Sequence, residues 1–113
     1  MAGTAPFPAN AESDMSKLLC KHGKPDTTGL IHHITPQTAN WGYVGFDLYE
    51  LKQGQSVAQE TGDREVCLVM VTGSATVQAD DQVFENIGDR KDVFEGRPPH
   101  AVYVPAGSSF DVT

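Results

Sequence analysis

From Trp41 onward the chain is a succession of short apolar or alternating runs, each cut by Gly, Pro or Asp after a handful of residues. This punctuation restricts the fold more than any other feature. A helix that buries one face needs roughly ten unbroken residues at a 3.6-residue period, and no run supplies them. GYVGFDLYEL alternates, with Val44, Phe46 and Leu48 on one face of a strand and Tyr43, Asp47 and Tyr49 on the other. Gly54 marks a turn, and SVAQE (56–60) is a short strand. REVCLVMVT (64–72) reads as a fully apolar strand suited to an interior. Gly73 breaks it, and SATVQA (74–79) begins the return. QVFENI, DVFEG and HAVYVPA follow as β segments separated by Asp-Asp, Gly-Asp-Arg and Arg-Pro-Pro. VYVPAGSSFDVT closes as strand, Pro105-x-Gly107 turn and the start of another strand. Such spacing predicts an all-β, antiparallel sandwich or small barrel.

With 113 residues the chain has enough length for one domain. Residues 1–14, rich in Ala, Pro and small polar side chains, read as a disordered leader, with the folded domain over 15–113. Met15 is an alternative start. The leader lacks the basic start and apolar core of a secretory signal. No apolar run approaches the roughly 20 residues of a membrane span.

A formal charge of −7, from 15 acidic and 8 basic residues without a Lys/Arg cluster, disfavours nucleic acid as a partner. An anionic small molecule stays open, because one or two placed arginines outweigh the net field locally. Cys20 and Cys67 form no CxxC pair, which favours a reducing, cytoplasmic setting. Cys67, inside VCLVMV, is expected to be a buried, inert thiol.

The order Gly54, an apolar strand ending at Gly73, then Pro105-x-Gly107 resembles the cupin pattern. Cupins draw two imidazoles from His-x-His, a Glu and a third His onto one metal, since residues two apart on a strand share a face. On this chain those slots fall on Glu60, Gly62, Val66 and Phe110. The resemblance therefore implies a cupin-like (RmlC-like) jelly roll whose metal site is filled in, with no metal ligand in this chain.

A closer resemblance is carried by MSKLL, IHHITP, GYVGFDLYELKQGQS, ETGDREVCLVMVTGSA and VFEGRPPHAVYVPAGSSF. These segments are similar to the N-terminal half of the 5-deoxy-glucuronate isomerases, tandem-cupin enzymes of myo-inositol breakdown. The 5-keto-4-deoxyuronate isomerases are a more distant match. The resemblance implies an aldose–ketose isomerisation of 5-deoxy-glucuronate to 2-deoxy-5-keto-gluconate. It also implies a divalent metal on a second barrel, a homo-oligomeric full-length enzyme, and a chain that stops before its first barrel's last strands. The piece alone is then expected to be inactive. Two alternatives stand beside it. One is a metal-free cupin that serves as a binding or assembly module. The other is a metal enzyme drawing ligands from His32 or His33, Glu65 and His100.

Isomerisation of an aldose acid needs a base for the proton beside the carbonyl, stabilisation of the enediolate and a cation for the substrate carboxylate. Arg64 and Glu65, in GDRE, are candidates to meet substrate at a barrel mouth, or form a solvated ion pair. His100, after Arg97-Pro98-Pro99, is a further candidate, or a structural histidine capping its loop. His32 and His33 are adjacent on an extended segment, so they face opposite ways and do not easily share a metal. Arg90 and Lys91, in GDRK, read as surface charges, and Asp63 as a turn residue.

Overall fold

The computed structural model of the chain describes residues 19–113, so the expectations for the leader and for Met15 lie outside the described residues. The chain divides into two units, residues up to Glu50 and residues from Leu51.

In the first unit, β1 (Leu30–Ile34) pairs antiparallel with β2 (Phe46–Tyr49). Asp26 prepares the entry to β1, accepting hydrogen bonds from the Thr28 N–H and hydroxyl and from the Leu30 N–H. Those donors, the Thr28 hydroxyl above all, favour the carboxylate and hold Asp26 below its ordinary range. Between the strands lies α1 (Pro36–Ala39), one turn that departs from the helix-free expectation. Its cause is local. Pro36 fits the first helical position, Thr35 accepts from the Thr38 N–H, and the Thr38 hydroxyl accepts from the Thr35 N–H. Asn40, at φ 56°, ends it.

The second unit contains β3 (Val57–Glu60), β4 (Val66–Val69), β5 (Gly73–Ala79), β6 (Gln82–Arg90), β7 (Ala101–Val104) and β8 (Ser109–Val112). They form a four-stranded sheet in the order β3-β8-β5-β6 and a two-stranded sheet β4-β7. Every pairing is antiparallel, as the all-β reading requires. The closing SFDVT segment is thus a central strand, with Phe110 opposite Gln59 on one side and Ala79 on the other.

Alternate residues from both sheets meet in the core. Val77 and Phe110 come from the larger sheet, and Val102 and Val104 from the smaller. Val66, Leu68, Met70, Ala79, Ile87 and Val112 pack around them. Burying each such side chain contributes about 1.5–3 kcal/mol.

Two local expectations are corrected. REVCLVMVT is not interior throughout. Its strand covers Val66–Val69, Val69 and Val71 are exposed, and Cys67 is an exposed free thiol rather than a buried one. The four-stranded sheet covers only one face of β4–β7, so odd-numbered β4 side chains point outward despite their apolar character. DVFEG is a 3-10 turn over Val93–Glu95, not a strand. Asp92 accepts from the Phe94 N–H, Glu95 accepts from the Lys91 and Asp92 N–H groups, and Gly96 at φ 78° closes the turn. Side chains that offer the backbone these local bonds compete with a strand ladder.

Candidate functional site

The β4–β7 ribbon carries two of the three candidate residues at opposite ends. Val66 pairs with Val104 and Val69 with Ala101, and the Met70 N–H donates to the His100 carbonyl. Glu65 and His100 therefore stand about five residues apart along the ribbon, roughly 16 Å at a strand's rise. The structure does not bring them together.

At the first end, Glu65 shares the outer face with Cys67 and accepts a hydrogen bond from the Tyr103 hydroxyl at 2.9 Å. Deprotonating Tyr103 would break that bond, so it raises the phenol's pKa, with desolvation and the carboxylate's charge adding to the effect. Arg64 lies in the preceding turn, where its N–H donates to the Thr61 carbonyl. Thr61 is the buried hub of this end. Its N–H donates to the Ser108 carbonyl, its hydroxyl donates toward the Pro105 carbonyl at 2.9 Å, and it accepts from the Ser108 N–H at 2.8 Å. Neither Thr61 nor Tyr103 was singled out in the sequence, although the alternation of HAVYVP puts Tyr103 on an outward position.

At the other end, His100 Nδ1 accepts from the Gly88 N–H at 2.6 Å. A neutral His100 therefore carries its proton on Nε2, which lies 3.9 Å from Asp89 Oδ1. Asp89 also meets the Arg97 guanidinium at 3.3 Å. Gly88 sits at φ 97°, a conformation that favours glycine. Arg90, expected as a surface charge, donates to the Val71 carbonyl at 3.0 Å and the Arg97 carbonyl at 3.1 Å, tying the loop down. A cavity of about 480 Å³ opens here between Phe84 and Ile87 of β6 and the stretch His100–Tyr103. Its walls are mainly apolar, with His100 and Tyr103 among the residues that line it. Such a hollow suits a small ligand with an apolar side and a few hydrogen-bonding groups.

A second hollow of about 530 Å³ lies over the outer face of the four-stranded sheet, where Glu60, Asp80 and Asp111 line it. Asp80 is engaged by the Ser109 N–H and Asp111 by the Thr113 hydroxyl. Three carboxylates here disfavour an anion.

The slots that cupins use for metal do not fit one here. Phe110, 7% exposed, is part of the core, and Val66 packs against it. Gly62 is a turn glycine at φ 64°, and Glu60 pairs with Ser109 on the outward register. Among the described residues, no group of three or more His, Cys, Asp or Glu is placed to hold a metal ion. In the first unit, His32 approaches Cys20, whereas His33 Nδ1 lies 2.7 Å from Asp47 Oδ1, so the two imidazoles do take opposite faces. No helix among the described residues is long and apolar enough to cross a membrane.

Comparison with known proteins gives a consistent picture. The profile of the KduI/IolB family matches residues 18–113. The 5-deoxy-glucuronate isomerase of Geobacillus thermodenitrificans (strain NG80-2) is 42% identical over 98 residues, which are 87% of this chain and 36% of that protein. The 5-deoxy-glucuronate isomerase of Bacillus subtilis (strain 168) is 37% identical over 102 residues, 88% of this chain and 38% of that one. The crystal structure of an IolB-like protein from Salmonella typhimurium LT2 superposes with a TM-score of 0.74 at 42% identity, covering 83% of this chain and 36% of that one. The chain thus spans 36% of the length of the first of these relatives.

Proposed function

The chain belongs to the KduI/IolB family, and on that premise we propose that it is the N-terminal portion of a sugar-acid isomerase that converts 5-deoxy-glucuronate to 2-deoxy-5-keto-gluconate in myo-inositol breakdown. The observation that carries this reading is the 42% identity to a 5-deoxy-glucuronate isomerase, running through 87% of the chain. The reaction moves a proton from C2 to C1 through an enediolate, which requires a base and stabilisation of the developing negative charge. The core role of Phe110 and Val66 favours placing the divalent metal of this reading outside residues 19–113. The full-length enzyme is then a cytoplasmic homo-oligomer, and this chain supplies scaffold and one wall of a substrate pocket.

For that wall, the cavity favours His100, whose Nε2–H donates to a sugar oxygen while Gly88 fixes its tautomer. Glu65, at the other end of the ribbon, holds the Tyr103 hydroxyl. A six-carbon acid with bonds near 1.5 Å is only about 8 Å long, so one molecule does not span both ends of the ribbon. Arg64 then receives the substrate carboxylate only in a pose distant from His100.

The test is a graft. Residues 18–113 replace the matching segment of the Geobacillus thermodenitrificans relative, and turnover of 5-deoxy-glucuronate is measured alongside that of the 113-residue chain. The expected result is an active graft and an inert isolated chain. Turnover by the isolated chain, or a folded but inert graft, would overturn the proposal. A binding or assembly module is the second reading, favoured by the apolar cavity. Saturable binding of the sugar acid to the isolated chain, together with an inert graft, would select it.

A further inference from the structure

The tautomer of His100 is set by a donor that is itself held in place. Gly88 offers its N–H to Nδ1 at 2.6 Å from a backbone at φ 97°. The space a side chain would take there is filled by the Gly73 carbonyl and the Met70 side chain. Two residues on, Arg90 ties the chain to the Val71 and Arg97 carbonyls. The imidazole, on a side chain 48% exposed, is the part with room to turn. Its other nitrogen faces a second partner. Nε2 lies 3.9 Å from Asp89 Oδ1, while Arg97 meets Oδ2 of the same carboxylate at 3.3 Å.

A neutral ring satisfies this arrangement, because Nδ1 keeps its lone pair for Gly88. An imidazolium does not. Both of its nitrogens carry protons, so Nδ1–H and the Gly88 N–H would point at each other with no acceptor between them. We infer that His100 is an acid-operated latch, in which protonation releases the Gly88 N–H and turns the ring onto Asp89 Oδ1. The movement is short. Closing 3.9 Å to the roughly 2.8 Å of a charge-assisted bond shifts Nε2 by about 1 Å and draws Nδ1 off the Gly88 donor. The corner between β6 and β7 thereby loses a hydrogen bond and gains an ion pair. Histidine is the side chain whose charge ordinarily changes between about pH 5 and pH 8.

The charges around the ring come from three elements. Asp89 and Arg90 belong to β6, and the Arg90 guanidinium is engaged by the two carbonyls. The loop before β7 brings Arg97, which faces Glu95 at 4.0 Å as well as Asp89. From β7 comes Tyr103, whose hydroxyl is bonded to Glu65 at the far end of the ribbon. Met70 meets His100 through the backbone alone. Among the described residues Asp89 is thus the carboxylate that forms an ion pair with His100, and Arg97 leaves its Oδ1 on the ring side.

The experiment follows the unaltered 113-residue chain, labelled with nitrogen-15, by NMR from pH 8 to pH 5. At pH 8 the ring nitrogen shifts of His100 should report the Nε2–H tautomer. On acidification the Gly88 amide signal should move along the same curve as the His100 ring. Its protection from hydrogen exchange should fall about fivefold, the size of one modest hydrogen bond. His100→Gln should hold the Gly88 signal constant over the range. An Nδ1–H tautomer at pH 8 would overturn the inference, as would a Gly88 amide that stays in place while His100 titrates. A Gly88 response that persists in His100→Gln belongs to another group and overturns it too. The tautomer and the coupled titration are read in the unaltered chain, so they decide the matter even where the variant does not fold. Neither depends on turnover, so failure of the isomerase proposal leaves the latch standing, and the reverse holds.

Discussion

Replacing Phe110 with His restores the residue type a cupin metal site uses at that position, and the structure says it will damage the fold without creating a site. Phe110 is packed with Val77, Val102 and Val104 and is 7% exposed. Losing most of its apolar burial costs about 1.5–3 kcal/mol. Placing ring nitrogens among valines with no partner costs about 1–3 kcal/mol more. The sum, about 2.5–6 kcal/mol, is a large share of the 5–15 kcal/mol typical of a domain. Phe110→Leu keeps the apolar contact and should cost only about 1–1.5 kcal/mol, so the difference between the two variants isolates the polar penalty. Equilibrium urea unfolding followed by circular dichroism, which reads the strands of the second unit, is the assay. With a slope of about 1.5 kcal/mol per molar, Phe110→His should lower the midpoint by roughly 2–4 M and Phe110→Leu by less than about 1 M. Zinc or manganese should leave both midpoints where they are, because Val66 and Gly62 provide no further ligand. A Phe110→His midpoint equal to that of Phe110→Leu, or one that rises on adding metal, would refute the reasoning.

Three further outcomes follow from the same geometry. Thr61→Val keeps shape but removes the hydroxyl that links Pro105 and Ser108, and should cost about 1–3 kcal/mol in urea unfolding because the Ser108 N–H loses its acceptor; a neutral effect would show that water replaces the bond. Gly88→Ala would push a Cβ into the Gly73 carbonyl and the Met70 side chain from a left-handed backbone, so a loss of at least about 3 kcal/mol, or an insoluble chain, is expected; wild-type stability would contradict it. Tyr103 has a folded pKa raised above the ordinary value of 10.0, so the stabilisation linked to it is complete below that pH and is lost as pH rises through the raised value. In an absorbance titration, Glu65→Ala should move one tyrosine to lower pH, and an unchanged curve would count against the Tyr103–Glu65 bond.

The parts of the fold written in single residues were legible. Gly54, Gly73 and Gly107 all turn the chain at positive φ, where a side chain would be strained, so each glycine marked a real boundary. The alternation of adjacent residues also carried through, since His32 and His33 do face Cys20 and Asp47 respectively. What stayed hidden depends on neighbours distant in sequence. An apolar run does not say how many of its faces another sheet will cover, which is why Cys67 and Val69 were misplaced. Nor does a threonine announce a hub whose partners lie 44 and 47 residues away. Arg90 holds two carbonyls through such distant contacts as well. For the candidate site, residue types suggested Arg64, Glu65 and His100, but only strand pairing shows that Glu65 and His100 occupy opposite ends of one ribbon.

That separation, combined with charge, divides the surface into faces that differ in their tolerance of an anion. The outer face of the four-stranded sheet presents Glu60, Asp80 and Asp111 around one open hollow, so a carboxylate approaching it meets three like charges. Across the unit, the cavity beside His100 has mostly apolar walls, and the nearby carboxylate of Asp89 is countered by Arg97. Arg90 adds a second guanidinium to the same loop while anchoring it. Repulsion among exposed carboxylates is screened by salt, so the three charges bias an anionic ligand away from the four-stranded sheet's outer face most at low ionic strength. Of the two hollows, the one that repels an anion less is therefore that beside His100, whose Nδ1 is taken by the Gly88 N–H.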